Sequence, residues 1–120
     1  MSTRVAAVAL RPAALPSTAV ALPAPTLDDE LRALTAARAS IRSDPAAALG
    51  ALDAYGARAQ GEGVLELERE RYAVEALLRL GRAREARSRA DRLLAANPNS
   101  TVAARVRALR DAIDEGRTIP

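Results

Sequence analysis

The sequence predicts an all-α protein of about five antiparallel helices that follow a disordered N-terminal tail. From residue 27 onward, apolar residues recur three and four positions apart, which is the period of one helix face. Glycine or proline interrupts this pattern at four points before residue 100. No segment shows the strict alternation of a half-buried strand. We therefore divide the chain into a tail (residues 1–26), a helical domain (27–116) and a short C-terminal tail (117–120).

The N-terminal tail is rich in alanine and proline. Four of the seven prolines lie in it, at positions 12, 16, 23 and 25, and proline both removes a backbone donor and disfavours helix in the preceding residue. The apolar run from Val5 to Leu10 has six residues, fewer than the roughly 7–15 of a signal-peptide core. A flexible linker is therefore favoured, while a cleaved signal stays open.

Local signals predict where the helices begin and end. Thr26 is expected to cap the first helix, and Asp44 the second, with Pro45 at the first helical position. Asn99 or Ser100 is expected to cap the fifth. Gly81 is expected to end the third helix in a left-handed turn, and Gly116 is expected to end the fold.

Each predicted helix carries one apolar face, and connections of about two to four residues make neighbouring helices antiparallel. With no Phe or Trp, the core must consist of aliphatic side chains and alanine methyls. Gly50 and Gly56 are expected at close helix contacts. The expected core positions are Leu31, Leu34, Ala37 and Ile41; Ala48, Leu49, Leu52, Tyr55 and Ala59; Val64, Leu67, Val74, Leu77 and Leu78; Ala83, Ala86, Ala90, Leu93 and Leu94; and Val102, Val106, Leu109 and Ile113.

The residues that usually carry catalysis are missing from this sequence. It contains no histidine, cysteine or lysine, so the commonest general base, thiolate chemistry and a serine–lysine pair are all excluded. Glu66 and Glu70 lie four residues apart and could share a metal, but interleaved arginines favour a salt-bridged helix surface. We expect no enzymatic activity, no cofactor and no metal. No apolar run approaches the ~20 residues that span a bilayer.

Two segments of the chain align as a repeat. Ala48 and Ala86 occupy equivalent places after a turn and lie 38 residues apart, a spacing typical of paired-helix repeats. The stretch from Leu80 to Ala86, followed by Ala90, Leu93 and Pro98, resembles a tetratricopeptide repeat. Residues 98–104 are also similar to repeats of bacterial outer-membrane assembly lipoproteins. The resemblance implies two helix hairpins plus a capping helix, in a bacterial chain whose association with the cell envelope is left open.

The same resemblance implies a site for a protein or peptide partner. In that family, the inner faces of the first helix of each repeat line a groove. Carried over to the third helix, the groove would present Glu68, Arg71, Glu75, Leu78 and Arg79. Such a mixed-charge strip is equally typical of a solvated helix face, where exchanging arginine for glutamate changes stability little. The partner's identity and self-association stay open.

The arginines of the fourth helix offer an alternative function. Arg82, Arg84, Arg87, Arg89 and Arg92 cover its polar face, which could associate with nucleic acid or transcription machinery, with an acidic protein surface or with lipid headgroups. The sequence contains 18 arginines and 15 acidic residues, and this nearly balanced charge argues against a nucleic-acid-binding surface. We therefore favour a non-enzymatic interaction module.

If the tail is a linker, removing residues 1–26 should leave the helical circular-dichroism signal and the melting temperature almost unchanged, because a disordered segment contributes few contacts to the fold. A large fall in melting temperature on truncation would show that the tail packs on the domain.

Overall fold

The computed structural model describes residues 25–60, 63 and 65–117, which form five α-helices. They are α1 (Leu27–Ser40), α2 (Pro45–Arg58), α3 (Glu66–Arg79), α4 (Ala83–Ala96) and α5 (Ala103–Asp114). No strand occurs within these described ranges, so the all-α prediction is confirmed. Apart from Pro25 and Thr26, the predicted tail lies outside the described residues, as do Val64 and residues 118–120.

The predicted caps of the first two helices are present. The Thr26 hydroxyl accepts a hydrogen bond from the Asp29 N–H at 3.1 Å, and the Thr26 N–H donates to the Asp29 carboxylate at 3.1 Å. This reciprocal arrangement is a capping box. The Asp44 carboxylate accepts from the Ala47 N–H at 3.1 Å, with Pro45 at the first helical position. Thr26 therefore belongs to α1, and a truncation that tests the tail should stop before it.

The two predicted glycine stops are also confirmed. Gly81 has φ +77° and Gly116 has φ +68°, values that favour glycine because it lacks a Cβ. The N–H of Gly81 donates to the Leu78 carbonyl, and the N–H of Arg82 donates to the Leu77 carbonyl. This pair of bonds satisfies carbonyls that the end of α3 would otherwise leave open.

The start of the fifth helix differs from the prediction. Val102, not Asn99 or Ser100, is the residue before α5, and no side chain caps this helix. Consecutive turns fill residues 97–102, and they carry Val102 into the core, where it is buried. This connection has six residues and the one at residues 59–65 has seven, both longer than predicted. Apolar periodicity locates the helices but does not determine the length of chain needed between them.

Helix α3 lies at the centre of the fold and contacts all four other helices. Besides packing on its sequence neighbours α2 and α4, α3 contacts the next helices along the chain in both directions, α1 and α5, and these three form one layer. Helices α2 and α4 form the other layer, where Arg89 of α4 reaches Asp53 of α2. The antiparallel direction is visible at α4 and α5, where Arg87 near the start of one helix pairs with Asp114 at the end of the other.

Alanine and branched aliphatic side chains form the core. Val74, Val106 and Leu109 are the largest fully buried side chains, and they lie in one cluster with many alanines. Ala86 and Ala90 of α4 have no exposed surface. Small side chains at these positions allow close approach of helices.

Some predicted core positions are wrong. Leu31 is 47% exposed, because α1 ends the stack and contacts only α2 and α3. Ala83, the first residue of α4, is exposed. A Cβ on Gly56 would lie 3.2 Å from Arg69 Nε, as expected for a close contact, whereas a Cβ on Gly50 would meet open space.

Replacing Ala86 with leucine should overpack the core and lower the free energy of unfolding by roughly 1–3 kcal/mol. Chemical denaturation measures the change. Ala95→Leu is the matched control, because Ala95 lies on the same helix but is exposed, and it should have little effect. Equal stability of the Ala86→Leu variant and the parent would contradict the packing of α4.

Candidate functional site

The N-terminal half of the predicted strip on α3 contains an ion pair. Arg71 Nη2 lies 3.2 Å from Glu68 Oε1, and Arg71 Nε lies 3.3 Å from the same oxygen. The guanidinium of Arg71 also stacks over the Tyr72 ring, with Cζ 4.0 Å from the ring centroid. Ion pair and cation–π contact together fix the orientation of Arg71.

The C-terminal half of the strip is more enclosed. Glu75 is only 6% exposed, and its carboxylate accepts from Arg79 Nε and lies 3.1 Å from Arg79 Nη2. Arg105 of α5 approaches the same carboxylate at 3.9 Å. Leu78 is partly buried against the core, which agrees with its predicted place at the border of the strip. The strip is therefore a half-buried surface with paired charges and not an ordinary solvated face.

Sequence reasoning missed two arginines that flank the strip. Arg38 of α1 lies with its Cζ 5.8 Å from the Tyr72 ring centroid, and Arg105 of α5 reaches Glu75. Both positions depend on how α1 and α5 dock on α3. The apolar period of a single helix contains no such information, so no sequence signal could have placed these arginines beside the strip.

A second polar cluster lies where α1, α2 and α3 meet. Helix α3 has no side-chain cap from its own first turn. Instead, the buried Glu30 of α1 accepts a hydrogen bond from the Leu65 N–H at 2.9 Å. A carboxylate at a helix N-terminus also interacts favourably with the helix dipole. The Glu30 carboxylate lies so close to Gly63 (φ +118°) that a Cβ there would come within 2.6 Å of it.

Arg69 and Tyr55 complete this cluster. Arg69 is 4% exposed, forms an ion pair with Glu66, and lies with its Cζ 5.7 Å from the Tyr55 ring centroid. Burial, and secondarily the negative charge of Glu30, raise the pKa of the Tyr55 hydroxyl above its usual value. The cluster ties three helices together and leaves a cavity of only about 10 Å³, so it is structural in character and offers no ligand space.

Most arginines of α4 are engaged within the fold. Arg82 pairs with Glu85 on α4 itself, and Arg87 pairs with both Asp114 and Asp91. Arg84 and Arg92 are the members of this face that form no ion pair among the described residues.

Arg89 is the most constrained of the α4 arginines. It makes two hydrogen bonds of 2.9 Å to Glu70 of α3 and one of 2.8 Å to Asp53 of α2. The hydrogen bond from Arg89 lowers the pKa of Glu70, and the bonds to Glu70 and Asp53 raise the pKa of Arg89. This arginine therefore joins the two layers and is not available to a partner.

The two glutamates that could have shared a metal do not form a site. Glu66 pairs with Arg69, whereas Glu70 pairs with Arg89. Within the described ranges, no three acidic, histidine or cysteine residues are grouped as metal ligands. Over the same part of the chain, no helix has the length and apolar character required to cross a membrane.

Comparisons of this chain with protein-family models, with curated proteins and with solved structures found no match.

The Glu70–Arg89 ion pair should make the melting temperature depend on pH in the acidic range. The folded-state pKa of Glu70 is lowered. The ionised carboxylate therefore stabilises the fold at pH values above the unfolded-state pKa of about 4.3, and this stabilisation is lost as the pH falls from there through the folded-state pKa. We expect Glu70→Gln to lower the melting temperature near neutral pH and to reduce its fall between about pH 6 and pH 3.

Asp111→Asn is the control for this pH series, since Asp111 is exposed and makes no ion pair with a described residue. Its melting profile should parallel that of the parent. If Glu70→Gln also parallels the parent over the whole pH range, the pair with Arg89 does not stabilise the fold.

Proposed function

We propose that the chain is a non-enzymatic protein-interaction module of tetratricopeptide-like type, acting as a scaffold or adaptor. In this proposal, a protein or peptide partner lies across α1, α3 and α5 and contacts the strip of Glu68, Arg71, Glu75, Leu78 and Arg79. The observation that carries it is the two ion pairs held along the middle helix of that layer. A bacterial origin and an association with the cell envelope are part of the same proposal.

Fixed side chains favour recognition, because binding costs less entropy when rotamers are already ordered. The Tyr72 ring and Glu68 hold Arg71, and the buried Glu75 holds Arg79. Arg38 and Arg105 on the flanking helices extend the surface on both sides of α3. A partner would therefore meet a surface whose shape and charge are set before it arrives.

The alternative function, association with nucleic acid through α4, has less support from the geometry. Three of the five arginines on that face already pair with carboxylates. Nucleic-acid binding depends on releasing counterions from several phosphates, and paired arginines contribute little to that.

The structure decides which substitutions can test the strip. Exchanging both Arg71 and Arg79 for glutamate would be a suitable test only on a solvated face. Here Arg79→Glu would place a second carboxylate beside the buried Glu75. Such an unpaired buried charge destabilises the fold itself. Inverting the more exposed pair, by Glu68→Arg with Arg71→Glu, keeps an ion pair at the same spacing and the same net charge.

We expect the inverted pair to keep the helical circular-dichroism signal, with a small fall in melting temperature because the Arg71–Tyr72 contact is lost, and to lose a partner that the parent captures in a nuclease-treated extract. The matched control is Arg82→Glu with Glu85→Arg, which inverts an exposed pair with the same three-residue spacing on α4 and should retain that partner. Capture by both inverted variants would remove the strip from the binding site. Loss of the captured material on nuclease treatment would instead favour the nucleic-acid alternative.

A further inference from the structure

A groove separate from the α3 strip lies along the exposed side of α4. It is a shallow, open depression of about 540 Å³, lined by α4 residues and by Ile113 of α5. The α4 residues in its wall are Ala83, Arg84, Arg87, Ser88, Asp91 and Arg92. Its lining therefore combines two aliphatic side chains with five polar or charged ones.

The charges in this groove are of two kinds. Arg87 pairs with Asp91 and Asp114, and Asp91 also approaches Arg110 at 3.5 Å. These two arginines and two aspartates neutralise one another. Arg84 and Arg92, both exposed, lack an ion pair within the described part of the chain. The groove therefore has a net charge of two positive units, carried by these two side chains.

The spacing of the two unpaired arginines limits what can bind them. They are eight residues apart on one helix, with Ser88 midway, so their backbone positions are separated by about 12 Å. Arg92 Nη1 lies 3.4 Å from the Ser88 hydroxyl, which holds it on the same side of the helix. Because Asp114 pairs with Arg87, the neighbouring Ile113 lies near the middle of this span.

We propose that this groove binds an extended acidic peptide with the pattern acid–any–apolar–any–acid. In an extended chain, alternate residues face the same side at about 3.3 Å per residue, so the two acids lie about 13 Å apart with the apolar residue between them. Each carboxylate then meets Arg84 or Arg92, and the apolar side chain between them lies on Ile113. This site is distinct from the strip on α3 and does not depend on it.

Charge favours a peptide over a nucleic acid here. Binding that relies on phosphate contacts gains its strength from many of them, whereas this surface offers two arginines that form no ion pair with a described residue. A peptide carries its two charges at the ends of the groove and an uncharged side chain at its centre.

The test is fluorescence anisotropy with a labelled peptide, acetyl-Ser-Glu-Gly-Leu-Gly-Glu-Ser, and the full chain. We expect saturable binding that weakens with salt and is lost when both glutamates of the peptide are replaced by glutamine. Arg84→Gln with Arg92→Gln should weaken binding by at least about tenfold, because charge-assisted hydrogen bonds are the stronger kind. Both positions are exposed, so circular dichroism should show an unchanged fold.

Arg32→Gln with Arg42→Gln is the control, since it removes two exposed arginines elsewhere in the molecule and should bind the peptide like the parent. The inverted Glu68/Arg71 pair should also bind it normally, which separates this proposal from the one for α3. Equal binding by the Arg84/Arg92 variant, or equal binding of the glutamine peptide, would overturn the proposal. So would an absence of peptide binding together with Arg84/Arg92-dependent binding of duplex DNA or of anionic phosphatidylserine vesicles.

Discussion

Close packing through alanine is the constraint on which this fold depends. The chain has no Phe or Trp, so large side chains cannot fill gaps between distant helices. Ala73 and Ala76 of α3, and Ala86 and Ala90 of α4, are fully buried, and their small volume lets the helices approach until leucine and valine side chains interdigitate. Helix α3 contacts every other helix, so a substitution that pushes α4 away from it also disturbs the surface presented beside α1 and α5.

Arginine–carboxylate pairs between helices supplement this thin core. Arg89 connects α4 with both α2 and α3, and Arg105 extends from α5 toward Glu75 of α3. Exposed pairs contribute little to stability, while pairs with enclosed geometry contribute more. Arg89 is the clearest case, because its hydrogen bonds to Glu70 and Asp53 use its donors within the fold.

Local chemistry allowed much of the fold to be predicted. Thr26, Asp44 and Gly81 act within one turn of their own position, so the sequence around each was sufficient. Predictions that depended on a neighbouring helix were less successful. Leu31 was expected in the core, but nothing in the described residues covers that side of α1. The residues of the α3 strip were identified by register, whereas the burial of Glu75 and the approach of Arg105 arise only when α5 docks.

The cap that α1 supplies to α3 has a consequence for how the molecule opens. The Leu65 amide is protected by Glu30, a residue 35 positions earlier in the chain, and not by its own helix. Detachment of α1 alone would free that amide to exchange with deuterium while the amides inside α3 and α4 stay closed. Terminal elements commonly open at lower free energy than the whole domain. The rate of hydrogen exchange at the Leu65 amide therefore reports the opening of α1 separately from global unfolding.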